Sequence, residues 1–345
     1  AFLMADLSGA GYLNVAKAAL LPAILYYLAL LVMIHFEAVK NDLGKLSPDM
    51  VPETKSVVSR LYYLVPIAVL ILLLGMGRSV VFCANIATLS IVLLAMLKAE
   101  TRFTFKSFIE ALVASSRGAL MVSACCACSG LIVGVLSLTG IGYKFINVIT
   151  ALAGSNLLLL MAMLMVTCII LGMGVPTAPA YIIVATLGAP ALMKAGVPII
   201  AAHMFVYFYA ILSVITPPVC LAAFAGAAIA ETNAMKTGVT AMKLGIVAFI
   251  IPFMFVFEPA LLMQGSTTEI VTAFASALIG VIGIASGMQN WLLVRCRLWE
   301  RALLLASGLM LIFPGLITDT IGLSSLLIVL FAQRLRKGGS PVAAA

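Results

Sequence analysis

Gly172-Met173-Gly174-Val175-Pro176-Thr177-Ala178-Pro179 lies in the middle of residues 145–193, a stretch with no charged side chain. A second passage of the same kind, Ser213-Val214-Ile215-Thr216-Pro217-Pro218, interrupts residues 195–230, which carry no formal charge and one histidine, His203. Each stretch is long enough for two apolar helices, and each is broken by residues hostile to a helix. A proline inside a helix removes a backbone donor and collides with the carbonyl four residues back. Two in succession, as at 217–218, remove two donors. In hydrocarbon the freed carbonyls need partners, so such breaks persist only where they are buried in protein or line a wet cavity. Freed carbonyls and neighbouring hydroxyls suit sodium, a hard cation that favours oxygen. The helices that restart after each break present positive dipole ends, which suit an anion. Broken apolar helices around a central site point to a secondary transporter. A simple kink accounts for one proline, but less readily for two multi-residue breaks with a threonine in each.

The remaining composition puts these breaks in a bilayer. Of 345 residues, 64% are hydrophobic and 9% charged, with a mean hydropathy of +1.24. A soluble domain carries roughly 25% charged residues, and a single soluble core could not hide this much apolar surface. The fold class is therefore an all-α polytopic membrane protein. A cytosolic enzyme, a secreted module and a nucleic-acid-binding domain are excluded. The net charge of +8 comes from 20 Lys and Arg dispersed over inter-helix loops and the tail, where they act as orientation signals.

Outward from the breaks, residues 15–35 suffice for one span, and a polar loop follows from His35 to Arg60. Residues 61–76 and 79–97 are two apolar runs joined by a tight turn at Gly75-Met76-Gly77-Arg78. An even number of crossings puts Lys98, Arg102 and Lys106 on the same side as Lys40, Lys45, Lys55 and Arg60, which places both loops in the cytoplasm. Residues 103–117 carry Phe105, Phe108, Ile109 and Leu112 at helical spacing opposite Lys106, Glu110 and Arg117, an amphipathic helix suited to the membrane interface. A softer interruption, Cys125-Cys126-Ala127-Cys128-Ser129-Gly130, follows it. Residues 240–263 and 270–290 make two more spans. A charged loop with Arg295, Arg297, Glu300 and Arg301 then precedes an apolar pair at 302–333, split at Pro314-Gly315. The tail from Arg334 is basic, then small and polar.

No nucleophile–base grouping or metal-ligand spacing is present, so the sequence points to no enzyme, no cofactor and no transition-metal site. The seven cysteines (Cys83, Cys125, Cys126, Cys128, Cys168, Cys220 and Cys296) read as small soft residues at close helix contacts. His203 reads as a hydrogen-bonded structural histidine and Lys194 as part of a surface turn. Glu231, Glu258 and Asp319 read as caps or loop charges.

Residues 172–181, with 205–230 around Ser213 to Val219, resemble the large membrane subunit of tripartite ATP-independent periplasmic (TRAP) transporters. More narrowly they resemble the fused-permease type paired with a TAXI-family solute receptor. Residues 252–262 (Pro-Phe-Met-Phe-Val-Phe-Glu-Pro-Ala-Leu-Leu) and the C-terminal extension near Trp291 and Trp299 fit the same type. The resemblance implies an elevator-type fold with a scaffold, arm helices and a transport domain of two inverted repeats. It also implies sodium as the coupling ion, residence in the cell inner membrane, and a periplasmic receptor that delivers an organic acid. By matching positions, Gly172, Gly174, Val175, Pro176 and Thr177, with Ser213, Ile215, Thr216, Pro217 and Pro218, are the second repeat's share of the sodium and substrate site. Ser129 and Gly130 are the tip of a re-entrant hairpin over 118–140, and 103–117 is an arm helix.

On this reading 1–102 is scaffold, 118–231 transport domain, 232–263 a closing span and 264–345 a C-terminal extension. The small-subunit helices and first repeat of such a permease are not in the chain, which reads as the C-terminal part of a longer one. Its partners are then the missing upstream half, the receptor and the lipid bilayer. Two rival readings are a non-transporting membrane assembly subunit and an ion channel.

Overall fold

The structure, a computed structural model, describes residues 1–44, 54–97, 101–312 and 315–338. Sixteen α-helices are described: α1 Phe2–Ser8, α2 Tyr12–Lys40, α3 Thr54–Val58, α4 Val65–Gly75, α5 Val80–Leu97, α6 Phe105–Thr139, α7 Ile141–Ala153, α8 Leu157–Gly172, α9 Thr177–Lys194, α10 Ile199–Leu212, α11 Leu221–Ile229, α12 Ala234–Leu244, α13 Ile251–Phe257, α14 Thr267–Gln289, α15 Leu298–Met310 and α16 Leu316–Gly338. The one extended pairing among the described residues is an isolated bridge between Trp291 and Arg295. Among them, five segments are long and apolar enough to cross a membrane, or up to seven if each of two bent pairs counts as one span.

The chain divides into two compact units, residues 1–16 with 44–127 and residues 17–43 with 128–345. In the first, α4 and α5 form an antiparallel pair across the expected turn, where Gly77 takes φ 73°. A glycine adopts that left-handed conformation at no steric cost. The pair leaves Ile71, Leu72 and Val81 more than 60% exposed. In a soluble protein that would be a defect; in a bilayer it is the surface that lipid covers.

In the second unit α8, α9 and α10 form the core. Gly188 of α9 lies against Val206 of α10 and Cys168 of α8, so closely that a Cβ there would sit 2.7 Å from the Val206 side chain. Helix association in lipid rests on such close approaches, because no hydrophobic gain separates a helix from the acyl chains around it. Tyr181, Phe205 and Tyr209 are fully buried. Phe205 and Tyr209 stack edge-on with each other and with Phe253 of α13, and Tyr209 donates from its hydroxyl to the Phe249 carbonyl at 2.6 Å. The buried Tyr181 hydroxyl is satisfied as well, by a bond to His203 Nδ1 at 2.7 Å.

The structure differs from the sequence reading in three places. Where a loop was expected from His35, α2 continues to Lys40, and α3 adds a short helix at Thr54–Val58. The arm (103–117) and the hairpin (118–140) are not separate elements; α6 runs through Ser129 and Gly130 without a turn. The chain turns instead at Gly140, φ 66°, and the helix before it (126–136) meets α7 at 73°. The side chains of Cys125 and Ser129 lie outside the described residues. The closing span is not one rod either: α12 and the segment Ile246–Phe257 are bent by 61° around Gly245. Gly245 is pressed against the tip of Ile215, 2.8 Å from where a Cβ would stand, and Pro252 occupies the first turn of α13.

At the C-terminal side, Ser266 and Glu269 form a reciprocal capping box that starts α14. The helices α14, α15 and α16 pack antiparallel in succession. Gly280 touches Gly308, Gly283 touches Leu304, and Gly287 touches Leu305 across α14 and α15; Gly322 lies against Ser307 and Leu311 across α15 and α16.

Candidate functional site

The two sequence breaks meet. Cβ positions and the Cys168, Gly188 and Tyr209 neighbourhood place α8 and α10 side by side and parallel, with α9 antiparallel to both. Their C-terminal ends therefore coincide. Gly172, the last residue of α8, is so close to Ser213 that a Cβ would stand 2.6 Å from the Ser213 hydroxyl. Gly174, at φ 74°, lies against Val219 beyond the second break. Ten of the twelve residues assigned to the site, Gly172 to Thr177 and Ser213 to Pro218, are thus brought into one neighbourhood. Ser129 and Gly130 remain on α6, where the backbone is helical.

Each motif ends a helix in its own way. Met173 closes α8 with its N–H on the Ile170 carbonyl, and Val175 donates to the Gly172 carbonyl at 3.3 Å. Pro176 then fixes an extended φ/ψ that opens α9 at Thr177. After α10 the chain tightens into a 3-10 turn over Ser213–Ile215 and leaves it at Thr216. Pro217 and Pro218 have no N–H, and among the described residues the carbonyls of Thr216, Pro217 and Pro218 receive no hydrogen bond. The second break is held from its far side by α12. Gly238 gives up a side chain so that Cys220 can seat against it, and Pro217 packs on the same glycine.

The polar atoms here are uncharged oxygens. Ser213 is fully buried and Thr216 is 6% exposed. Ser213 Oγ donates to the Ala210 carbonyl and Thr216 Oγ1 to the Leu212 carbonyl, each at 2.7 Å. These bonds occupy the hydroxyl protons and leave the lone pairs of both oxygens. The neighbouring helix ends are carbonyl ends, where the macrodipole is negative. An all-oxygen, formally neutral donor set at two converging negative helix ends fits a monovalent hard cation. The helices restarting after the breaks, α9 and α11, begin without a side-chain cap. The Leu221 N–H of α11 is taken by the Val219 carbonyl at 3.1 Å, and the N–H groups of Thr177 and Ala178 in α9 and of Ala222 and Ala223 in α11 are the ones left as anion donors among the described residues. Thr177 and Pro218 are exposed, and Val175, Pro176 and Ile215 half-buried.

A cavity of about 360 Å³ between α2 and α10 reaches Leu212, one residue before Ser213. Its lining is apolar apart from three tyrosines, Tyr26, Tyr27 and Tyr207.

Most of the secondary candidates sit where the sequence put them; Cys128 does not, since it is exposed and not at a close helix contact. His203 is buried and bonded to Tyr181. Exposed Lys194 ends α9 and donates to Asn147 Oδ1 at 2.9 Å. Glu258 accepts from the Ala260 N–H as a helix cap, and Glu231 occupies an exposed left-handed turn at φ 51°. Asp319 lies in the first turn of α16. Cys168 and Cys220 occupy the close helix contacts at Gly188 and Gly238.

The sequence reading missed a polar network at the other end of the chain. Glu300, 1% exposed, accepts from the Arg297 N–H, from Gln333 Nε2 at 2.9 Å and from Arg336 Nη2 at 3.0 Å. Gln333, fully buried on α16, accepts from the N–H groups of Leu293 and Val294. Burial raises the Glu300 pKa, but the Arg297 backbone N–H, the Gln333 amide and Arg336 together outweigh it and hold the carboxyl below its ordinary range. Arg297-Leu298-Trp299-Glu300, a capping spacing, was the one local signal for it; Gln333 is too distant in sequence to be read.

The family profile described as "Tripartite ATP-independent periplasmic transporter, DctM component" matches residues 1–270. A second, described as a domain of unknown function (DUF3394), matches residues 270–325. No curated protein and no solved structure matches the chain.

Proposed function

This chain belongs to the DctM component family of tripartite ATP-independent periplasmic transporters, and from that premise we propose that it is the permease half-site of a sodium-coupled, receptor-dependent importer of a small organic anion. The observation that carries this reading is the meeting of Gly172 with Ser213, which joins two helix breaks into one neutral, oxygen-lined neighbourhood. Carbonyl ends of α8 and α10, with Ser213 and Thr216, would hold the cation. The uncapped starts of α9 and α11 would face the anion, as paired half-helix termini do in other secondary transporters. Neither break carries an arginine, so the substrate is held by backbone dipoles and a single carboxylate suffices for it. A TAXI-type periplasmic receptor is the delivering partner on this proposal, and the elevator motion of a two-repeat transport domain is the mechanism. The small-subunit helices and the upstream repeat complete the assembly, and its place is the cell inner membrane.

The test is uptake of labelled organic acids into proteoliposomes containing the assembled permease, with receptor inside or outside the assay and with or without an inward sodium gradient. Uptake that needs both receptor and gradient supports the proposal. Receptor-independent flux that follows the membrane potential alone would favour a channel.

A further inference from the structure

The end of the α14–α15–α16 bundle formed by the C-termini of α14 and α16, the N-terminus of α15 and the loop 290–297 is strongly basic. Arg295, Arg297, Arg301, Arg334 and Arg336 gather on residues 290–301 and 333–338, and Glu300 is the single acid among these residues. Glu300 is buried and already bonded to Arg336, so it neutralises little of what the surface presents. Two of the arginines are fixed: Arg301 Nε donates to the Gly287 carbonyl and Arg336 Nη2 to the Arg295 carbonyl, each at 2.9 Å. Arg295 and Arg297 stand exposed beyond them. The opposite end of the same bundle is the reverse: residues 258–269 and 310–325 contain Glu258, Glu269 and Asp319 and no lysine or arginine.

The basic end lies where the candidate spans Thr267–Gln289 and 317–336 stop, which is the depth of lipid headgroups. Beside the arginines, Leu298 is 87% exposed and Trp299 44% exposed. A leucine and a tryptophan left in the open next to guanidinium groups suit the boundary between acyl chains and phosphates, and suit a dissolved anion poorly. Gln289 Nε2 also donates to the Met33 carbonyl of α2, which brings the part of α2 leading to Lys40 to the same end.

We propose that this end of the bundle is a binding surface for anionic phospholipid headgroups, with Arg295 and Arg297 engaging the phosphate and Leu298 and Trp299 the adjoining acyl region. Guanidinium groups take phosphate oxygens in bidentate fashion, and each basic residue near an anionic membrane surface gives about a five-fold preference.

The chain supplies its own reporters, because Trp291 and Trp299 are its two tryptophans and both border this surface. The full chain is reconstituted into bilayers containing acyl-brominated phosphatidylglycerol or acyl-brominated phosphatidylcholine at equal mole fraction, and tryptophan quenching gives the relative association of the two lipids. The expected result is a preference for phosphatidylglycerol of roughly five-fold or more, falling toward unity at about 1 M salt, where the screening length shrinks to ~3 Å. Arg295→Gln with Arg297→Gln should bring the ratio toward unity while quenching by phosphatidylcholine persists. Equal quenching by the two lipids in the unaltered chain overturns the proposal without recourse to any variant. So does a preference that survives both substitutions in a chain that still elutes as one species. A preference abolished by millimolar inorganic phosphate at constant ionic strength would identify a soluble-anion site instead, and would also overturn it.

Discussion

Gly172→Ala is the smallest change that tests whether the two breaks touch. Gly172 is buried at the end of α8 and has no left-handed conformation to lose, so the backbone accepts alanine. Helix propensity even favours the substitution, by up to about 1 kcal/mol. Against that gain, the new methyl would stand 2.6 Å from Ser213 Oγ and 3.0 Å from Ser213 Cβ. Rotating the hydroxyl away relieves the first contact and forfeits its bond to the Ala210 carbonyl, worth about 1 kcal/mol. The second contact involves a carbon fixed to the backbone, so α8 and α10 must separate, at the roughly 1–3 kcal/mol typical of overpacking. The net is a destabilisation of about 2 kcal/mol, equivalent to a fall of about 3 °C in apparent melting temperature for a chain of 345 residues. The assay is thermal unfolding of the detergent-solubilised protein, followed by the loss of its monodisperse elution peak. Adding Ser213→Gly to the variant should restore most of the loss, because the colliding side chain is gone. An unchanged melting temperature in Gly172→Ala, or no recovery in the double variant, would refute the convergence.

Gly308→Ala should cost more than Gly172→Ala in the same assay, because its methyl would meet the Gly280 carbonyl oxygen at 2.6 Å and the Ile284 nitrogen at 2.9 Å, backbone atoms that cannot rotate aside. Gln333→Leu leaves the Leu293 and Val294 N–H groups and part of the Glu300 carboxylate unpaired in a buried site, and should destabilise the C-terminal bundle by about 3 kcal/mol, read as earlier proteolysis within residues 290–338. The Glu300 carboxyl is held below its ordinary pKa of 4.5 in the folded chain, so its contribution is full above that value and fades as pH falls through the folded pKa. Melting temperature should therefore drop on acidification below about pH 4.5 in the unaltered chain, and drop less steeply in Glu300→Gln.

Much of this architecture was legible in composition and punctuation. The turn at Gly75–Arg78, the helix breaks after α8 and α10, and the start of α14 near residue 270 are each marked by glycine, proline or a cap, and each lies where it was read. Ser129-Gly130 misled because small residues without a proline do not stop a helix: one glycine costs only about 1 kcal/mol, and α6 continues to Gly140. The span at 240–263 misled in the opposite sense. Its largely apolar sequence hid a bend of 61° at Gly245, where the tip of Ile215 of the second break stands 2.8 Å from the position of a Cβ. Neither the contact of Gly172 with Ser213 nor the bond of Glu300 to Gln333 could be read, since each joins residues more than thirty positions apart through packing that no local pattern encodes. That each break ends a helix was legible in its residues; that the two breaks share one neighbourhood was implied only by the family resemblance.

If the oxygens at the joined breaks hold the coupling cation, the sodium concentration for half-maximal uptake in the assembled permease depends on them. Thr216 Oγ1 keeps its lone pairs while donating to Leu212, so Thr216→Ala removes one oxygen ligand and leaves the α10 backbone bonds in place. That sodium concentration should rise several-fold in the variant at normal expression, with maximal uptake recovered at saturating sodium. A sodium dependence identical to that of the unaltered permease would contradict it.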